Sequence, residues 1–142
     1  MIDANYALNV AQAITLAKAG RDLIIFWFEE PIIPENFVGY AEISIESSIA
    51  VAQGENLHTQ EEFQMALAQS HLNFIQPYAS NCGGITGWLR VSAQSARSGV
   101  LICSHEMQEL HASLVSGQAH GGWLEVHSFP IDRYTKQPLQ LE

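Results

Sequence analysis

Six side chains with chemical potential recur along the sequence at nearly even intervals. Asp3, Glu29, Glu55, Tyr78, His105 and Glu125 are separated by 26, 26, 23, 27 and 20 residues. The first three are carboxylates, and hard divalent cations of the Mg2+ type take oxygen ligands. Two or three carboxylates suffice when water and substrate complete the octahedron. Asp3, Glu29 and Glu55 are therefore the candidate metal ligands. His105 follows directly on "LICS", where an imidazole titrating near neutrality is a candidate general base. Spacing alone leaves a plainer reading open, in which these acids are ordinary strand-end residues in solvated loops.

The intervals gain meaning from the elements between them. Short β-branched or aromatic runs at residues 1–3, 23–28, 49–52, 72–75, 100–103 and 123–126 barely alternate in polarity, as strands buried on both faces do. Helical segments separate them. Val10, Ala13, Ile14 and Ala17 share a face before Gly20, and Thr59 with Glu62 forms a capping box ahead of Phe63, Met65, Ala66 and Leu67. Gly99 stops a helix over 85–98. Strands joined by a single helix run parallel, which makes the class α/β. In a parallel sheet every C-terminal end lies on one side, so the six spaced residues converge at one rim. The stretch "WFEEP" then reads as a buried strand ending in a metal site. Neighbouring strand residues face opposite ways, so only one of Glu29 and Glu30 points at the centre. Gly54 before Glu55 permits close backbone approach.

Composition narrows the partners. A chain of 142 residues with 47% hydrophobic and 15% charged residues fits one packed domain over 1–142, and no apolar run reaches the roughly 18 residues of a membrane span. The opening residues lack a secretory pattern, and Cys82 and Cys103 suit a reducing compartment, so the expectation is cytoplasmic. A net charge of −9 repels phosphate backbones and acidic membrane surfaces, which argues against nucleic acid and membrane partners. The segment "HEMQELH" approaches the zinc-protease motif but has Glu109 where a histidine is needed. Ser104 lacks a nucleophile elbow, and "CGG" at Cys82 reads as a tight turn without a phosphate-loop lysine.

The motifs "DAN", "WFEEP", "GEN", "QPYASNCGGITGW", "SHEMQELHASL" and "WLEVH" together resemble the C-terminal barrel domain of the enolase superfamily, in the mandelate racemase and muconate lactonizing enzyme branch. The resemblance covers nearly the whole chain. It implies a partial TIM (β/α)8-type barrel of about six βα units, strands 3 to 8, with one Mg2+ at the C-terminal face. It also implies that Asp3, Glu29 and Glu55 bind the metal, that His105 is the catalytic base, and that a protonated Glu125 hydrogen-bonds the substrate carboxylate. The implied reaction is abstraction of a proton α to the carboxylate of a small substrate, a sugar acid or 2-hydroxy acid, through an ene-diolate. Racemisation or dehydration follows from where the proton or a β-hydroxyl then goes. "SFPIDRY" resembles the sugar-acid dehydratases of the branch.

Three departures accompany the likeness. Tyr78 stands where the pattern has an aspartate that orients the histidine, the lysine pair of the second strand is missing, and so is the N-terminal capping domain. Lys18 and Lys136 are too far along helix and tail to replace that pair. A partial barrel leaves open edges, so a homo-oligomer or a partner supplying strands is expected. The alternative function is a catalytically silent half-barrel that folds or assembles without turnover.

Overall fold

A computed structural model describes residues 1–127 and Lys136. Five short strands form a single parallel sheet in the order β1-β2-β3-β4-β5: β1 Ile2–Asp3, β2 Phe28–Glu29, β3 Val51–Gln53, β4 Phe74–Ile75 and β5 Leu101–Ile102. Spatial order equals chain order because each crossover carries a helix that returns the chain beside the strand it left. These helices are α1 Val10–Ala19, α2 Phe37–Ser47, α3 Gln60–Gln69 and α4 Gly84–Ser98, with α5 Gln108–Ser116 after β5. This is the α/β architecture of a barrel sector.

Local chemistry sets the helix ends. The side chains of Asn9 and Thr59 each accept the backbone N–H three residues on, and Gln12 and Glu62 reach back to complete both capping boxes. Gly99 ends α4 in the left-handed conformation at φ 69°.

Two expected strands are shorter than their apolar runs. Of residues 23–28 only Phe28 enters the sheet. Arg21–Leu23 is a 3-10 turn, and Ile24 behind it adopts a left-handed φ of 52° at 92% exposure. The chain spends these residues descending from the end of α1 to the base of β2. The expected sixth strand at 123–126 is instead a single parallel bridge, Ile102 to Gly121. The ladder there begins with Gly122 N–H to Ile102 C=O at 2.8 Å and Ser104 N–H to Trp123 C=O at 3.2 Å. Trp123 N–H then goes to Cys103 Sγ at 3.3 Å and Glu125 N–H to the Ser104 hydroxyl at 2.9 Å rather than to backbone carbonyls, and pairing stops. "SFPIDRY" lies outside the described residues.

The sheet has two unlike faces. Phe28, Val51, Ile75 and Ile102 turn outward and join Tyr40, Phe63 and Trp88 in one core under the helices. A fully buried side chain of this size contributes about 1.5–3 kcal/mol relative to exposure. Their strand neighbours Trp27, Ala52, Phe74 and Cys103 turn inward as a smaller cluster. Phe26 and Trp123 meet edge to face over that inner side, with ring centroids 5.6 Å apart, while each stays half exposed.

Candidate metal centre and active site

The register gathers the acids at one rim. Asp3 pairs with Glu29, and Glu29 with Ala52 of the next strand, so Glu55 follows in the loop just beyond. Glu29 is buried, and its two oxygens accept from Gln76 Nε2 at 2.8 Å and Trp27 Nε1 at 2.9 Å. Burial raises its pKa to about 7 against the pull of those two donors, with the charges of Asp3 and Glu125 adding to the rise. Glu29, Glu55 and His105 offer ligand atoms that all lie within 4.8 Å of one another. Asp3 stands outside that group. Its exposed carboxylate accepts the N–H of Asn5 at 2.9 Å, although its charge reaches Glu29.

Glu30 faces away from the rim and is fully buried. It accepts Gly54 N–H at 3.3 Å and Asn56 Nδ2 at 2.7 Å, which fastens both sides of Glu55. Gly54 sits at φ 141°, and a Cβ there would come within 2.8 Å of the Gln76 backbone nitrogen. Only glycine lets the Glu55 loop cross so close to the end of β4.

His105 follows β5 and is the hub of the site. Its Nδ1 lies 2.8 Å from Glu55 and 2.9 Å from Glu125, between the two carboxylates. Burial disfavours the imidazolium, but Glu125 and Glu55 outweigh it and raise the pKa to about 10. Tyr78 contributes a ring edge, with centroids 5.2 Å apart, and no carboxylate. Glu125 is the second carboxylate at His105. Burial pushes its pKa up, but His105, the Glu106 N–H at 2.8 Å and His127 at 2.9 Å hold it below the usual range, as a carboxylate.

Several contributors were not singled out from sequence. Gln76 follows β4 directly, two residues before Tyr78, and donates to Glu29. His127 is two residues from Glu125, and its Nε2 lies 2.9 Å from a Glu125 oxygen, so both side chains meet at the same place. His111 is fully buried. It accepts Ala79 N–H at 3.2 Å and meets the Glu106 carbonyl at 2.6 Å, tying the loops of Tyr78 and His105 together as a neutral ring. Lys18 is remote, paired on the surface with Glu46 at 2.9 Å. A cavity of about 360 Å3 opens beside the rim, lined by Phe26, Trp27, Glu29, Gln76, Trp123 and Glu125. An apolar floor under acids and an amide suits a small polar organic molecule.

The family model described as "Enolase C-terminal domain-like" matches residues 1–142. The chain belongs to this enolase family. A 3,6-anhydro-alpha-L-galactonate cycloisomerase of Streptomyces coelicolor is 35% identical over 139 residues, 98% of this chain and 38% of the relative. An L-rhamnonate dehydratase of Saccharopolyspora erythraea is 34% identical over 107 residues, 74% of this chain and 27% of the relative. Among solved structures, a Streptomyces coelicolor racemase with bound magnesium superposes with TM-score 0.86 at 36% identity, over 89% of this chain and 38% of the other. A Bradyrhizobium enolase complexed with magnesium and mandelic acid gives 0.85 at 33%, over 89% and 35%. This enolase-family chain thus spans less than two-fifths of the length of these relatives. Among its described residues no helix is long and apolar enough to cross a membrane.

Proposed function

We propose that this chain carries the metal-binding and proton-transfer face of an enzyme that removes a proton α to the carboxylate of a sugar acid or 2-hydroxy acid. The observation that carries the reading is the meeting of buried Glu29 with Glu55 and His105 at one rim of the sheet. Support for a hard cation comes from the donor set and from Glu29 itself. Burial pushes that carboxyl to about 7, a cost a divalent ion would offset. Glu29 and Glu55 would hold Mg2+, with Asp3 joining from the neighbouring strand once its carboxylate leaves Asn5. Mg2+ there would compensate the second negative charge that develops on the substrate carboxylate.

The chain's own residues supply the rest. His105 takes the α-proton, and Glu125 at its Nδ1 stabilises the resulting imidazolium. Glu125 thereby does the orienting work that an aspartate at position 78 would do. With Glu55 engaged in holding Mg2+, one of the two carboxylates that raise the His105 pKa would be drawn away, favouring the neutral ring that acts as a base. The relatives named as cycloisomerase and dehydratase are named for sugar acids, consistent with this chemistry.

The silent half-barrel is favoured by one feature, Tyr78 in place of the orienting carboxylate. Calorimetric Mg2+ titration of the parent and Glu55→Gln, followed by solvent-deuterium exchange at the α-carbon of a panel of sugar acids, separates the readings. Loss of binding in Glu55→Gln and loss of exchange in His105→Gln are expected. Mg2+ binding without exchange in any acid would favour the silent domain, and no binding in the parent would remove the metal site.

A further inference from the structure

Beside the oxygen-rich group lies a second convergence of donors with a different chemistry. His105, Glu125 and His127 offer ligand atoms that all lie within 4.8 Å of one another. We propose that these three residues form a second site, sharing His105 with the first group, for a borderline transition-metal ion such as Zn2+, coordinated by two imidazoles and one carboxylate. Glu125 is central: its Oε2 lies 2.9 Å from His105 Nδ1, and its Oε1 2.9 Å from His127 Nε2. Ligands of a tetrahedral zinc ion stand about 3.3 Å from one another, given bond lengths of about 2.0–2.1 Å. Small side-chain rotations therefore open the trio to admit the ion.

Three features favour ligation over a chain of hydrogen bonds alone. The first is donor type. Imidazole nitrogen with one carboxylate oxygen selects Zn2+ and its neighbours, whereas Mg2+ takes oxygen sets such as Glu29 and Glu55. The second is outer support of the kind that orients metal ligands. Glu106 N–H holds the Glu125 carboxylate at 2.8 Å, the Ser104 hydroxyl holds the Glu125 backbone at 2.9 Å, and Gln108 Nε2 holds the His127 carbonyl at 3.3 Å. The third is access. The His127 and Glu125 side chains are about one-third exposed, so an ion can reach them without unfolding the rim. Three protein ligands leave a fourth position for water, the arrangement of an open rather than a structural site. An occupied trio would withdraw His105 from proton transfer, making transition metals inhibitors of the magnesium-dependent reaction proposed above.

The test titrates ZnCl2 and, separately, MgCl2 into the metal-free chain and into the His127→Ala and His127→Gln variants. Far-ultraviolet dichroism checks that each is folded. His127→Gln keeps an amide that can donate to Glu125 but removes the imidazole. The site predicts one tight Zn2+ per chain, at least a tenfold weaker Zn2+ affinity in both variants, and unchanged Mg2+ affinity. Co2+ in place of Zn2+ should give visible absorption bands that both variants lose. Equal Zn2+ affinity in parent and His127→Gln would overturn the proposal, since ions at the exposed His58 or His71 survive that change. Parallel loss of Mg2+ binding would also overturn it, because His127 would then be supporting the rim rather than ligating. Absence of Mg2+ binding in all three chains bears only on the magnesium reading.

Discussion

The outer and inner faces of the sheet are built from alternate residues of the same strands, yet they differ in completeness. Outward-facing Phe28, Val51, Ile75 and Ile102 meet a layer of helices and are buried. Inward-facing Trp27, Ala52, Phe74 and Cys103 form a smaller cluster with Ala50 against it and the half-exposed rings of Phe26 and Trp123 beside it. The difference teaches that the functional rim is held from outside. Trp88 on α4 sends its indole N–H to the Pro77 carbonyl at 3.1 Å beside Tyr78, and His111 on α5 bridges to Ala79. The inner face supplies the cavity floor and little of the support.

That asymmetry ranks the expected effects of substitutions. Trp88→Ala removes the largest fully buried side chain and should cost about 3–5 kcal/mol. Against a typical domain stability of about 5–15 kcal/mol, the urea midpoint should fall sharply or the fold be lost. A loss under about 1 kcal/mol would mean that the helical layer is not what holds the rim.

Next comes the buried acid between the two faces. The pKa of Glu29 is raised from 4.5 to about 7, chiefly by burial, so its charge opposes folding. The penalty is absent below about pH 4.5, grows through pH 7 and is complete above it. Glu29→Gln should therefore stabilise the metal-free chain at pH 8 by up to about 3 kcal/mol and leave it unchanged near pH 4. Gln76 can accommodate the new amide by turning its unpartnered Oε1 toward it. Urea unfolding at the two pH values checks this, and equal stability at pH 8 would mean that burial does not strain the acid. His105 carries the opposite charge with the same slope. Its stabilising pairing is complete below about pH 6.5 and lost as pH rises through about 10.

Much of this division was legible from residue order. The capping box of Thr59 and Glu62, the stop at Gly99 and the helix-separated apolar runs specify parallel strands with a shared rim, and the rim brings Glu29, Glu55 and His105 together. What was not legible depends on the inner face. Apolar residues at 23–28 promised a buried strand, but hydrophobicity alone does not distinguish a strand from a descending loop, and Ile24 is exposed. The run 123–126 promised a sixth strand, but the Ser104 hydroxyl captures the N–H of Glu125 that the ladder needed. The charge state of Glu125 was also hidden, because it is set by His105, the Glu106 N–H and His127 across a fold boundary.

A smaller effect belongs to a single outer-layer helix. Thr59→Ala breaks one half of the α3 capping box, leaving Glu62 N–H without its acceptor at 3.2 Å. The expected loss is about 1 kcal/mol, read as a lower urea midpoint with an unchanged slope. A change in slope would mean that α3 frays as a whole.

The smallest effect on stability, and the most informative about the open face, is expected at Trp123. Its ring stacks edge-on to Phe26 but is 56% exposed, so Trp123→Ser removes few buried contacts and should shift stability by less than about 1 kcal/mol. Self-association should respond more strongly. A sheet whose first strand and terminal bridge have no strand on their outer edges among the described residues, lined by exposed aromatic rings, presents both backbone donors and apolar area to another surface. Size-exclusion chromatography with light scattering at micromolar concentration should give more than one chain per particle, shifting toward one chain in a Phe26→Ser and Trp123→Ser double variant. A compact single chain in the parent would mean that the inner face is stable in water as it stands, and the contrast between the two faces would then be one of function rather than of completeness.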